Sequence, residues 1–98
     1  MRIQIHEIIQ SDAAITFHLG TRVRETYGDS WRDSPLELDF AGIRSVSPSF
    51  LSQAVSPIIR EFPPEQVSDH LKFVNVPSPF ESTWQKVQQA AARIRSGS

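Results

Sequence analysis

The stretch of residues 35–62 constrains the fold more than any other part of the sequence. Within Leu36–Phe40, apolar residues alternate with acidic ones, which is the period of a β-strand. Gly42 suits a tight turn after this strand, and Ser47 as N-cap with Pro48 at the first helical position favours a helix start. The apolar residues that follow recur at spacings of three and four, which predicts a helix facing the core: Phe50, Leu51, Ala54, Val55, Ile58, Ile59 and Phe62.

Pro57 interrupts this helical pattern. A proline inside a helix removes one backbone hydrogen bond and clashes with the preceding turn. We therefore expect the helix to kink or to break near Val55 and Ser56.

The remaining segments predict an alternation of strands and helices. The structure of residues 10–20 stays open, because Ala13–Leu19 fits a hairpin partner and Ser11 equally fits a helix cap. Alternating strands and helices predict an α/β domain, with one mixed sheet of about four strands and three to four helices. We expect a single domain over residues 1–95 and a flexible tail over residues 96–98. The expected elements are a strand at 2–9, a helix at 22–27 after a break at Gly20-Thr21, a strand at 36–40, a helix from 48, a strand at 71–76 and a helix from about 80.

The composition of the 98-residue chain fits one small globular domain. Hydrophobic residues make up 39% of the chain, which disfavours intrinsic disorder. Ten Lys and Arg against eleven Asp and Glu leave a formal net charge of −1, which supplies no general attraction to nucleic acid. The sequence has no cysteine and no apolar run long enough for a membrane span or a leader. These features predict a cytoplasmic protein without membrane contact.

The sequence contains no pattern that predicts a catalytic or metal site. His6, His18 and His70 are far apart and belong to no metal-binding motif, and the glycines form no phosphate-binding loop. Glu37 and Asp39 lie two residues apart on a strand and are interpreted as a solvated face rather than an acid–base pair. We therefore expect no enzyme activity, no metal and no cofactor.

The two tryptophans are interpreted as packing or interface residues. Trp84 lies in the apolar stripe of the last helix and is expected in the core. Trp31 lies in a polar loop, where it either covers the core or forms an exposed anchor for a partner.

The strand–turn–helix segment and the motifs around it resemble a known family. The run L-D-F-A-G-I at 38–43, followed by S-P-S-F-L at 47–51, resembles the signature of STAS domains, the fold of anti-sigma-factor antagonists and sulphate-transporter tails. The closer resemblance is to the small, free-standing STAS-like family of unassigned function. The likeness spans nearly the whole chain through segments in the family's order: 3–9, Gly20, 36–43, 47–51 and 71–75.

This resemblance implies a possible phosphorylation switch at the start of the helix. In anti-sigma-factor antagonists a kinase of the ATPase fold phosphorylates the first Ser of a D-S-S-G motif, and Pro48 takes that position here. A switch therefore requires Ser47 or Ser49 to act as the acceptor. For both serines a structural role competes with a functional one, Ser47 as a plain N-cap and Ser49 as a satisfied first-turn hydroxyl.

The resemblance implies a non-catalytic regulatory module that docks a protein partner through the strand-to-helix loop 43–50. The implied partner is an ATPase-fold, histidine-kinase-like kinase or a target regulated by it. Ser47 and Ser49 are the expected interface hydroxyls, with Arg44 at the rim and Phe50 as an apolar contact or a core residue. Asp39 and Gly42 are expected to organise the loop, Asp39 by accepting backbone N–H bonds.

The alternative functions are a nucleic-acid-associated regulator and a small enzyme of unknown reaction. Six scattered arginines suggest the nucleic-acid alternative, whereas no particular residue suggests the enzyme alternative. The arginines are interspersed with acidic residues, which argues against a nucleic-acid surface: Arg22, Arg24, Arg44, Arg60, Arg93 and Arg95.

Overall fold

The computed structural model describes the backbone of residues 1–96 and the side chains of residues 1–63 and 65–91. The described chain is an α/β fold, as predicted. Its strands are β1 (Arg2–Gln4), β2 (Ala13–Ala14), β3 (Leu36–Asp39), β4 (Ser45–Val46) and β5 (Leu71–Val74). Its helices are α1 (Ile5–Ile9), α2 (Phe17–Tyr27), α3 (Pro48–Ala54), α4 (Ser56–Glu61), α5 (Pro64–His70) and α6 (Phe80–Ser96), and a 3-10 turn spans Ser30–Arg32.

The described strands form two parallel sheets rather than the single mixed sheet that was predicted. The larger sheet has the order β1-β3-β5, and the smaller one pairs β2 with β4. In register, Ile3 and Leu38 are partners, and Leu38 pairs in turn with Phe73. The smaller sheet forms because β2 lies beyond α1 and β4 lies beyond the turn that ends β3, so neither strand continues the larger sheet.

The prediction of a strand over residues 2–9 is wrong after Gln4. Ile5, Ile8 and Ile9 are spaced for one helical face, and Ile5 and Ile9 are buried. Gln10 is the C-cap of α1. Its φ of 53° is left-handed, and its N–H donates to the His6 carbonyl. Burial of Ile5 and Ile9 on one helical face, with Ile8 half-buried, therefore outweighs the strand preference of the alternating Ile3 and Ile5.

The prediction of a break at Gly20-Thr21 is also wrong. α2 begins at Phe17, and its N-cap is Thr16, whose hydroxyl accepts a hydrogen bond from Leu19 N. Gly20 lies inside the helix, and a Cβ at this position would come within 2.5 Å of the Phe50 carbonyl oxygen. This glycine permits the close approach of α2 to α3. The end of the helix at Gly28 was predicted correctly.

The break at Pro57 is confirmed. α3 ends at Ala54 and α4 begins at Ser56. Ile58 N, which would reach the Ala54 carbonyl in a continuous helix, donates to the Val55 carbonyl instead. The Tyr27 hydroxyl donates to the Ala54 carbonyl at 2.5 Å, so a side chain of α2 satisfies the end of α3.

Both tryptophans pack with the core. Trp31 is 3% exposed and meets Phe62 edge to face, so it covers the core and its role as an exposed partner anchor is excluded. Trp84 is half-buried against Phe73. Ser96, predicted as part of the tail, is the last residue of α6, and residues 97 and 98 lie outside the described residues.

Candidate functional site

The junction between β3 and α3 begins with a tight turn. Ile43 N donates to the Phe40 carbonyl at 2.9 Å, and Gly42 adopts a φ of 85°. A side chain at Gly42 would be strained by this conformation and would press on the His6 ring, 3.2 Å away. Gly42 therefore has the loop-organising position that the sequence predicts.

Asp39 is buried at the end of β3 and its carboxylate has three donors. Asn75 Nδ2 and Ala41 N donate to Oδ1, each at 2.9 Å, and Arg2 Nη2 donates to Oδ2 at 2.7 Å. The hydrogen bond from Asn75, together with those from Arg2 and Ala41, lowers the pKa of Asp39 to about 2. The carboxylate is therefore ionised and engaged.

This environment corrects the interpretation of Glu37 and Asp39 as one solvated face. Asp39 is only 3% exposed, whereas Glu37 is half-buried. Arg2 bridges the two carboxylates, with its Nε 3.5 Å from Glu37 Oε2. The hydrogen bond from Ala41 N is of the kind expected for a loop organiser. Arg2 and Asn75 were missed because only strand pairing brings them to Asp39.

Arg44 lies at an exposed edge of the junction. Its backbone N–H donates to the Asp12 carbonyl at 2.7 Å, which ties the junction to the turn before β2. Its side chain is 86% exposed, and its Nε lies 3.8 Å from Asp12 Oδ2. Exposed ion pairs of this kind contribute at most about 1 kcal/mol to stability, so this pair adds little to the stability of the fold.

Ser47 is the N-cap of α3, as predicted. Its hydroxyl accepts a hydrogen bond from Phe50 N at 3.1 Å and also donates to the Ile15 carbonyl. Ser47 N donates to the Ala14 carbonyl at 3.0 Å. The hydroxyl is therefore used as both donor and acceptor within the fold.

Ser49 differs from Ser47 in its exposure. Ser49 and Pro48 are exposed in the first turn of α3, whereas Ser47 is half-buried. Phe50 is fully buried, so the expectation that it contacts a partner is wrong and its alternative role as a core residue is correct. Its place on the inner face of α3, under the close approach of Gly20, explains this burial.

The structure adds two apolar residues that the sequence analysis did not assign to the site. Ile15 and Phe17 are 47% and 54% exposed, and the Ile15 carbonyl is held by the Ser47 hydroxyl. In the sequence, Ile15 and Phe17 alternate with polar residues, which indicates that one face of this segment is buried. The pattern does not indicate whether the apolar face or the polar face points to solvent. We use the term junction surface for the exposed residues of the two segments that the hydrogen bond from Ser47 joins: Ile15, Phe17, Arg44, Pro48 and Ser49.

A family model for a STAS-like domain of unknown function (DUF4325) matches residues 20–80. The chain belongs to this STAS-like family. The match runs from Gly20 in α2 to Phe80 at the start of α6 and contains β3, the tight turn and α3. No curated protein and no solved structure shows significant similarity to the chain.

The histidines of this STAS-like domain lie in three different settings. His6 lies against Gly42, His18 meets Phe17 edge to face, and His70 stacks on Phe62 at 3.8 Å between ring centres. Among the described side chains, no group of three His, Asp or Glu is arranged to hold a metal ion. Within residues 1–96, no helix combines the length and the apolar character needed to cross a bilayer.

Proposed function

We propose that this STAS-like domain is a non-catalytic regulatory module that docks a protein partner through the junction 43–50, extended by Ile15 and Phe17. The observation that carries the proposal is the exposure of these two large apolar side chains on the segment whose Ile15 carbonyl accepts a hydrogen bond from the Ser47 hydroxyl at the start of α3. Among the described residues, four large hydrophobic side chains are exposed, and two of them are Ile15 and Phe17.

The junction surface combines apolar and charged groups in the way that protein interfaces do. Full burial of one Phe or Ile side chain contributes about 1.5–3 kcal/mol, so Phe17 is a candidate anchor. Arg44 and Asp12 provide charges at its edge, where they influence the association rate more than the affinity.

The state of the polar groups supports docking over catalysis. The Asp39 carboxylate accepts three hydrogen bonds, and its pKa of about 2 keeps it ionised at neutral pH, which does not suit a general acid or base. The Ser47 hydroxyl is engaged on both sides, which does not suit a nucleophile.

The partner that the family resemblance suggests is an ATPase-fold, histidine-kinase-like kinase or a target under its control, in the cytoplasm. This part of the proposal depends on analogy between related folds. Phosphorylation is favoured at Ser49, because its side chain is exposed while the Ser47 hydroxyl is engaged. A phosphate there adds about two negative charges to the junction surface and changes its complementarity to a partner.

Affinity capture from native cells, with quantitative mass spectrometry, tests the docking surface. Wild-type protein is compared with Phe17→Ser, Arg44→Glu and Ser49→Tyr, and with Lys86→Glu as a matched charge reversal on the exposed face of α6. We expect specific proteins to be recovered by the wild type and by Lys86→Glu, and at least tenfold less by the three junction variants. Thermal unfolding midpoints should stay within a few degrees of the wild type, since all four positions are exposed. Equal recovery by the junction variants would exclude this surface as the interface.

A further inference from the structure

The Ser47 hydroxyl connects two segments that are 32 residues apart. As an acceptor, the hydroxyl takes a hydrogen bond from Phe50 N at 3.1 Å and caps the N-terminus of α3. As a donor it holds the carbonyl of Ile15, the residue that lies between β2 and the Thr16 cap of α2. The two roles use different parts of one hydroxyl, its lone pair and its proton.

We propose that Ser47 is a positioning residue whose hydroxyl proton holds the Ile15–Phe17 segment against the start of α3. The backbone bond from Ser47 N secures the segment as far as Ala14, and the helix bonds of α2 secure it from Thr16 onward. The Ser47 hydroxyl holds Ile15, the residue between these two secured parts, by its hydrogen bond to the Ile15 carbonyl. In this proposal Ser47 joins the two segments that make up the junction surface.

The docking part of this inference depends on the proposed function, whereas the positioning part is a property of the free protein. Loss of the proton should loosen Ile15–Phe17 and the first turn of α2. Loss of the acceptor should loosen the first turn of α3. The two roles of Ser47 can therefore be separated by substitution.

Three substitutions at position 47 separate these roles. Ser47→Asp keeps an N-cap acceptor of equal quality but has no proton to donate at neutral pH. Ser47→Ala loses both roles, and Ser47→Thr keeps both. Ser49→Asp is the matched control, since it places the same charge in the same helix turn at an exposed position.

Amide hydrogen exchange of the free protein, followed by NMR as protection factors, measures the positioning role. Leu19 and Gly20 report the first turn of α2, and Leu51, which donates to the Ser47 carbonyl, reports α3. Ser47→Asp should lower the protection of Leu19 and Gly20 by about two- to tenfold and leave Leu51 unchanged. Ser47→Ala should lower all three, and Ser47→Thr and Ser49→Asp should lower none. Unchanged Leu19 and Gly20 in Ser47→Asp would overturn the positioning role.

The same variants in the affinity capture separate this inference from the proposed function. Reduced protection together with at least fivefold lower partner recovery in Ser47→Asp, but not in Ser47→Thr, supports both. Reduced protection with unchanged recovery supports the positioning role and counts against the junction surface as the docking site. Unchanged protection overturns the positioning role even when Phe17→Ser abolishes recovery.

Discussion

At the scale of single residues, two polar side chains near the junction, Asp39 and Ser47, are engaged in hydrogen bonds within the fold. Asp39 has three donors, and the Ser47 hydroxyl has a donor and an acceptor. Buried polar groups are costly unless they are paired, which explains why these side chains have such complete partners. The proposed docking therefore relies on the exposed side chains around them rather than on these engaged groups.

The first prediction concerns the acid sensitivity of the Asp39 network. The pKa of Asp39 is about 2 in the folded protein and about 3.9 in an unfolded chain. The network therefore contributes stability above about pH 4, and this contribution is lost as the pH falls toward 2. Urea unfolding should show that Asp39→Asn is less stable than the wild type at pH 7, and that the difference shrinks at pH 2. A difference that is the same at both pH values would refute this account, and Glu37→Gln serves as the control.

The second prediction concerns Tyr27. Burial raises the pKa of its phenol, so the hydroxyl stays protonated and donates to the Ala54 carbonyl. Tyr27→Phe leaves that carbonyl without this donor, which should lower the free energy of unfolding by about 1–3 kcal/mol. Chemical denaturation measures the loss. Thr26→Val is the control, since it removes an exposed hydroxyl from the same helix and should cost less than about 0.5 kcal/mol. Similar losses in both variants would contradict the role of Tyr27.

At the scale of elements, the contact between α2 and α3 decides how the site is built. Gly20 permits the close approach, and Tyr27 satisfies the carbonyl freed where Pro57 breaks the helix. Both helices begin beside the smaller sheet, α2 after β2 and α3 after β4. The exposed residues Ile15 and Phe17 reach the junction because this pairing places the two helix starts together.

The third prediction tests this close approach. In an isolated helix, Gly20→Ala should be stabilising by up to about 1 kcal/mol. In this fold the added Cβ meets the Phe50 backbone oxygen at 2.5 Å, so the helices must separate. We expect a net loss of about 1–3 kcal/mol in the free energy of unfolding. Urea titration measures the free energy of unfolding, and Glu25→Ala, at an exposed position of α2, should be nearly neutral in it. A Gly20→Ala variant more stable than the wild type would show that the close approach of α2 to α3 does not limit stability.

At the scale of the whole molecule, the fold needs more of the chain than the family match covers. Residues 20–80 contain the junction and most of the core, but β1 pairs with the central strand β3 from outside that range. Several buried core residues also lie outside it: Ile3, Ile5, Ile9, Ala14 and Val87. The site is therefore supported by segments that the match does not include.

The fourth prediction follows from this dependence. A fragment of residues 20–80 exposes one edge and one face of the core and should not fold cooperatively. Circular dichroism melts should show a broad transition for the fragment and a single sharp one for residues 1–96. A sharp transition for the fragment, at a midpoint close to that of the longer chain, would contradict the prediction.

Short-range signals were enough to predict the α/β class, the strand after Pro35, the Ser47 cap, the break at Pro57 and the family. The strand, the cap and the break depend on side-chain periodicity, on proline geometry or on a hydrogen bond to a residue three positions away, whereas the family was inferred from the resemblance of the motifs at 38–43 and 47–51 to those of STAS-like domains. The donors Arg2 and Asn75 to Asp39, the position of Gly20 and the exposure of Ile15 and Phe17 were not predictable in this way. They depend on contacts between residues about 30 positions apart or more, such as Arg2 with Asp39 and Ser47 with Ile15, which only the packed chain brings together.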